Sequence, residues 1–278
     1  MPISAVTQRI AYQAIRRTKS KKTTRRRATF AHVDCARETV AEICEYRPSD
    51  RDIYAAVLHP DFRVETRQLL WRAMHKAHRC GDFFLRMGPE WQHRGICREC
   101  DPNTDSFLHT ITECTDPART QIWDLARDLW IKRGRAWPEP TFGLIIGCGA
   151  VKYKSESGRT DVGISRLYRI LVAKATHLIW RLRCNRRIEH ADEPDYQHAP
   201  AFVAAEFERV IRSRFDTDSE LVNKKRYGRR ALKASIVEAT WRKIFPPPDP
   251  PLPEWMQPPA AVRARARPRA RPRLRDND

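Results

Sequence analysis

The stretch GICRECDPNTDSFLHTITEC (Gly95–Cys114), continued by TDPARTQIWDLARDLW (Thr115–Trp130), decides how the chain is read. Cys97 and Cys100 form a C-x2-C pair, His109 follows after eight residues, and Cys114 after four more. Three sulfurs and one imidazole are a sufficient donor set for a tetrahedral zinc ion, with no open position left for chemistry. The first two cysteines are expected to grip the ion from a tight knuckle, with Asp101, Pro102, Asn103, Thr104 and Asp105 as the return loop. His109 then approaches from a short helical turn. Closing such a site ties metal binding to local folding, so Zn2+ would be a component of the fold. The competing reading is a set of reduced cysteines beside an unrelated histidine. His93 is the nearest substitute ligand and reads as a surface or packing residue.

Directly after the cluster, Asp116 is placed to cap a helix with Pro117 at its first position. Ile122, Trp123, Ala126, Leu129 and Trp130 supply its apolar stripe, and Gly134 lies beyond its end. Spacings of three and four residues continue outward in both directions, the signature of helices. Val33, Val40, Ile43 and Cys44 mark one helix, with Pro48 beyond it, and a second is expected from about Arg63 to His78, stopped by Cys80-Gly81. Ile164, Leu167, Tyr168, Leu171, Ala175, Leu178, Ile179 and Leu182 hold the rhythm for five turns. Further helices are expected over 199–214 and 220–245, and short extended pieces near 142–151 and around Ile96. The fold class is mainly α, an irregular helical domain with a small Cys3His zinc knuckle and disordered tails. Trp71, Trp123, Trp130, Trp180 and Trp241 fall in helical patterns and read as core, with a base-stacking surface as the alternative. Cys35, Cys44, Cys80, Cys148 and Cys184 read as packed thiols, since too few cysteines are present for a small disulfide-stapled module.

The 278 residues carry 53 Lys+Arg against 34 Asp+Glu, a formal charge of +19, and the excess is uneven. Residues 1–28 hold nine basic residues and no acid, while residues 246–278 combine seven arginines, four acids and ten prolines. This divides the chain into a basic N-terminal tail (1–29), a helical region with the zinc-binding segment at 95–116 (30–135), a second helical region (136–245) and a Pro/Arg-rich tail (246–278). Both tails hold too little apolar surface to offset their ordering entropy and read as disordered. No apolar run reaches membrane-spanning length and no export signal is evident, so a nuclear or cytoplasmic protein is expected.

Catalytic readings fail on spacing. The glycines between Gly143 and Ser155 lack the pattern of a phosphate loop. Asp192, Glu193 and Asp195 sit in a polar connector beside Pro194, and Cys148 has no stated partners for nucleophilic work. No catalytic residue is assigned.

Several segments together resemble the C-terminal region of basidiomycete non-LTR retrotransposon polyproteins, which contains a reverse-transcriptase zinc-binding-like segment. They are RVETRQLLWRAMHKAHRCGDFF (Arg63–Phe84), the cysteine segment, IWDLARDLW (Ile122–Trp130), WPEPTFGLIIGCG (Trp137–Gly149), RLYRILVAKATHLIWRLRC (Arg166–Cys184) and NKKRYGRRALKASIVEATW (Asn223–Trp241). The resemblance runs from about 31 to 245. It maps the zinc ligands onto Cys97, Cys100, His109 and Cys114, and implies a nucleic-acid-binding accessory without catalysis. The chain has no Y-x-D-D polymerase motif and no ribonuclease H acid set. On this reading RNA or DNA is held without sequence specificity through phosphate contacts by Arg16, Arg17, Lys21, Lys22, Arg25, Arg26 and Arg27, with a second patch at Lys132, Arg133 and Arg135. The alternative is a helical structural or protein-interaction module, a remnant of the element, with the Pro-rich tail as its partner segment.

Overall fold

The computed structural model describes residues 6–22, 26–100 and 103–245. Twelve α-helices account for most of the described chain: α1 (Gln8–Lys22), α2 (Arg27–Ile43), α3 (Asp50–Val57), α4 (Val64–Met74), α5 (Asp82–Leu85), α6 (Pro89–Gln92), α7 (Pro117–Ile131), α8 (Phe142–Gly147), α9 (Val162–Cys184), α10 (Pro200–Glu220), α11 (Lys224–Tyr227) and α12 (Ala234–Trp241). π-helical turns occupy His109–Glu113 and Asn185–Glu189. Among the described residues the only β pairing is two isolated bridges, Ile96 with Thr104 and Lys154 with Thr160.

Helix α9 is the axis of the molecule. Its side chains are buried on nearly every face, from Ile164 to Leu182, and it packs against α4, α7, α8, α10 and α12. Helix α2 lies along α8, with α3 and α4 beside the pair. One apolar cluster runs through all of these elements, joining Val33, Val40 and Leu70 to Trp130, Ile145, Leu171, Phe207 and Trp241. Residues 135 and 136 lie in the irregular connector between α7 and α8. Local sequence sets the helix starts. The Asp161 carboxylate accepts from Ile164 N–H at 2.9 Å to open α9, Ser49 and Asp52 form a capping box on α3, and Thr141 caps α8 by accepting from Leu144 N–H.

Several expectations are corrected. The segment 1–29, read as a disordered tail, carries α1 from Gln8 to Lys22 and the start of α2 at Arg27. No Gly or Pro interrupts Gln8–Lys22, and Ala, Gln, Arg and Lys are good helix formers. Thr29 and Val33 are buried, which anchors α2 earlier than its apolar stripe suggested. The extended piece near 142–151 is instead α8, a helix buried on all sides. A short, wholly apolar run has no periodicity to separate strand from helix. The helix expected over 220–245 is broken into α11, a 3-10 turn at Gly228–Arg230 and α12. Trp71 is 39% exposed, whereas Trp123, Trp130 and Trp241 are core. Cys35 is exposed and Cys184 half-buried, unlike the packed Cys44, Cys80 and Cys148. The Pro/Arg-rich tail lies outside the described residues.

Glycine explains two close approaches. Gly143 and Gly147, four apart on α8, face α2, and a Cβ would meet Cys35 O at 2.7 Å and Val40 Cγ2 at 2.6 Å. The glycines near residue 143 thus serve helix packing. Gly81 has φ +49° and abuts Asp105 O and Ser106, so the chain folds back against the cysteine segment there.

A buried polar hub ties α9 to α10 and α12. Arg166 donates to both oxygens of Asp218 at 2.7 and 2.8 Å, Arg214 Nε donates to Asp218 at 3.0 Å, and Trp241 Nε1 donates to it at 2.9 Å. Asp61 receives Arg166 Nε at 2.9 Å and lies 3.2 Å from Arg169 Nε. Asp218 is fully buried, so this paired, hydrogen-bonded arrangement is the condition for placing its charge there.

Candidate metal centre

Four backbone hydrogen bonds shape the cysteine segment. Cys97 N–H donates to Asn103 O at 2.8 Å, Asn103 N–H to Cys100 O at 2.7 Å, and Asp105 N–H to Gly95 O at 2.8 Å. Together with the bridge between Ile96 and Thr104 they make the tight loop that turns both cysteines to one side. On the other side of the site, Cys114 N–H donates to His109 O at 2.8 Å, the i to i+5 bond of a π turn. That wider turn sets His109 and Cys114 at its two ends, and such turns recur at functional sites. Asp116 then accepts from Ala118 N–H at 2.8 Å and starts α7.

The donor atoms of Cys97, Cys100, His109 and Cys114 all lie within 4.8 Å of one another. Cys114 Sγ is 3.6 Å from Cys97 Sγ and 3.8 Å from Cys100 Sγ. A disulfide would need about 2.0 Å. The imidazole of His109 is buried; its Nδ1 faces Glu113 at 3.6 Å, and its Nε2 has no hydrogen-bond partner among the described residues. A buried polar atom without a partner is costly, and an ion bound at Nε2 would satisfy it. The cluster is able to coordinate a metal.

The surroundings favour negative sulfur at Cys97. A hydrogen bond from Cys114 holds the Cys97 thiol down to about 5, opposed by burial and aided by the backbone N–H groups of Glu99 and Cys100 and by His109. Cys114 is raised correspondingly, first by that shared proton and then by burial. Cys100 Sγ accepts from Thr115 N–H at 3.2 Å. Donors of this kind stabilise metal-bound thiolates and fix their direction.

Sequence reasoning missed the residues that fasten this segment to the rest of the molecule. Arg183, Arg186 and Arg187, at the end of α9 and in the π turn after it, form a clamp. Arg183 pairs with the buried Asp105, and Arg187 Nε reaches the same carboxylate at 3.4 Å. Arg186 bridges Glu99 at 2.8 Å and Asp116 at 3.0 Å. In return, Arg98 donates to the carbonyls of His190 at 3.2 Å and Ala191 at 2.6 Å. The signal was legible as three arginines at i, i+3 and i+4 closing a helix too apolar to be a solvated face. Asp105, read as part of a polar return loop, is 3% exposed because it carries this pair. Asp101 and Pro102 lie outside the described residues.

The basic residues are not all alike. Arg16, Arg17, Arg26 and Arg27 are exposed at α1 and the start of α2. Lys21 and Lys22 close α1, and Arg25 lies outside the described residues. In the second patch Lys132 is exposed, but Arg133 is half-buried and donates to the carbonyls of Ala239 and Thr240 at 3.0 and 2.8 Å, closing the end of α12. Arg135 donates to Lys154 O at 2.9 Å. Arg133 is thus a structural staple. His93 is exposed and stands outside the cluster, and Asp192, Glu193 and Asp195 lie on an exposed connector.

No family model, no curated protein and no solved structure matches this chain. Among the described residues no helix is long and apolar enough to cross a membrane.

Proposed function

We propose that the chain is a zinc-stabilised helical module that acts as a structural or interaction element without catalysis of its own. We further propose that it descends from the accessory region of a non-LTR retrotransposon polyprotein. The observation that carries the metal reading is the convergence of three sulfurs and a buried, unpartnered imidazole nitrogen on one point. Zinc is the ion that fits this donor set. Zinc–sulfur bonds of about 2.3 Å at tetrahedral angles put neighbouring sulfurs about 3.8 Å apart, against 3.6 and 3.8 Å from Cys114 to Cys97 and to Cys100, with the third pair, Cys97 and Cys100, within 4.8 Å. All four positions are filled by protein, so the ion would supply cross-linking only. Cys97 and Cys100 would hold it from the loop, and His109 and Cys114 from the π turn.

Cobalt(II) titration of the reduced, metal-free protein tests the assignment through the strong visible absorption of tetrahedral thiolate-bound cobalt. That absorption is expected at one equivalent, abolished in Cys97→Ser and Cys114→Ser, and displaced by one equivalent of zinc. Weak, octahedral-type absorption unaffected by those substitutions would overturn it.

A second reading, non-specific RNA or DNA binding, is favoured by the exposure of Arg9, Arg16, Arg17, Arg26 and Arg27 on and beside α1. Affinity should then fall steeply with salt, and neutralising Arg16, Arg17, Arg26 and Arg27 should flatten that dependence. Salt-insensitive binding, or an unchanged slope in the neutralised protein, would exclude phosphate contacts by this region.

A further inference from the structure

Beside the metal centre, a groove of about 470 Å³ opens between the π turn at His109–Glu113, the first half of α7 and the loop leading into α8. Leu108, Trp123 and Phe142 give it an apolar lining, and Glu113, Asp124 and Glu139 contribute three carboxylates. Leu108 is 39% exposed, large for a leucine beside a core aromatic. The one cation in the lining, Arg119, is turned to the carbonyls of Cys114 and Thr112. Asp124 has a partner in Arg127 at 2.9 Å, an exposed pair of small energetic weight. A carboxylate-bearing apolar groove is out of character for a protein of charge +19.

The same chain carries a segment of complementary chemistry. From Arg263 to Arg275 every odd position is arginine, and every even position is alanine, proline or leucine. In an extended peptide this alternation sets the guanidinium groups on one side and the small apolar groups on the other. Proline fixes φ, so Pro268 and Pro272 lower the entropy lost when such a segment docks.

The reach is sufficient. Phe245, the last described residue, packs on Phe215 of α10 with ring centroids 4.7 Å apart. The other end of α10 meets α7 one residue beyond the groove-lining Thr120, where Gln121 Nε2 donates to Pro200 O at 2.9 Å. Fifteen residues of helix separate Pro200 from Phe215, about 22 Å. Residues 246–262 can span about 50 Å when extended, so the arginine repeat reaches the groove of its own molecule.

We propose that the Arg263–Arg275 segment docks in this groove in cis, its arginines facing Glu113, Asp124 and Glu139 and its Ala and Pro residues facing Leu108, Trp123 and Phe142. The contact uses none of the four proposed metal ligands but rests on the folded metal segment, since one wall of the groove is the π turn that carries His109, and Glu113 lies 3.6 Å from His109 Nδ1.

Trypsin cleavage after Arg263, Arg265, Arg269 and Arg273 reads the contact directly in the full-length protein. At low salt these bonds are expected to be cut at least about fivefold more slowly than in a synthetic peptide of residues 246–278, independently of protein concentration. Raising the salt, or the triple substitution Glu113→Gln, Asp124→Asn, Glu139→Gln, should restore the peptide rate. Glu139→Arg, on an exposed loop and followed by Pro140, provides the same readout should the triple variant not fold. Equal rates in the protein and the peptide would overturn the proposal. So would protection that persists in Glu139→Arg, or protection that grows with concentration and so belongs to a second copy.

Discussion

Asp218 accepts from Arg166, Arg214 and Trp241 while wholly out of solvent, and its charge is tolerable only because each of those donors is in place. Removing one member of a buried pair strands the others. Asp218→Ala is therefore expected to cost about 3–5 kcal/mol, read from urea unfolding midpoints, and an effect below about 1 kcal/mol would show that the hub relaxes to water. Asp105 presents the same chemistry at the metal segment, where Arg183 and Arg187 converge on one carboxylate. A double-mutant cycle between Asp105→Ala and Arg183→Ala should show strong coupling, of the order of 2 kcal/mol or more. Additive losses would mean that the clamp does not act as a unit. At this scale the ligand set was open to reading because thiolate and imidazole donors announce themselves by type and spacing. The spacing of the three arginines was open to reading, but the partner they hold was not, because Asp105 and Arg183 are 78 residues apart in the chain.

The helix caps offer a cleaner comparison. Thr141 does little besides accept from Leu144 N–H, so Thr141→Ala should cost about 1 kcal/mol. Asp116 caps α7 and also receives Arg186 at 3.0 Å, so Asp116→Ala should cost clearly more than Thr141→Ala. Equal costs in thermal unfolding would remove Arg186 from the structure's support. Helices with one apolar stripe and a capping residue, α7 and α9 above all, were legible from periodicity because the stripe records a buried face. Helix α8 was not, since burial on every side erases the stripe and leaves Phe142–Gly147 looking like an inner strand. Helix α1 was misread for the opposite reason. Its charge suggested an unstructured tail, although Gln8–Lys22 contains nothing that stops a helix. The break between α11 and α12 is explained by Gly228, which takes φ +53° and ends a run of charged residues with no apolar face to hold it.

For the molecule as a whole, acid should weaken the fold before the carboxylates titrate. His78 lies between Phe107 and Trp180, with Nε2 donating to Leu69 O at 3.0 Å, and burial pushes it down to about 4. His59, beside Arg169 and Asp61, is also lowered to about 4, by burial first and then by Arg169. Because both bind a proton less readily when folded, stability is full above about pH 6.5, where the unfolded imidazole is neutral too, and falls as the pH drops toward about 4. Each can contribute a loss on the order of 2–3 kcal/mol. His78→Gln should therefore flatten the slope of unfolding free energy against pH in that window relative to the parent protein, and an unchanged slope would show that His78 does not drive it. The helical scaffold brings the loop at Gly95–Asp105, the π turn and the clamp of α9 to one place, and the central claim is that an ion completes that place. Native mass spectrometry with elemental analysis, on full-length protein purified without chelator, tests it most directly. One zinc per chain is expected in the parent and none in Cys97→Ser or Cys114→Ser, with helicity reduced in both variants; a folded, fully reduced parent protein carrying no metal, and binding none when zinc is supplied, would contradict it.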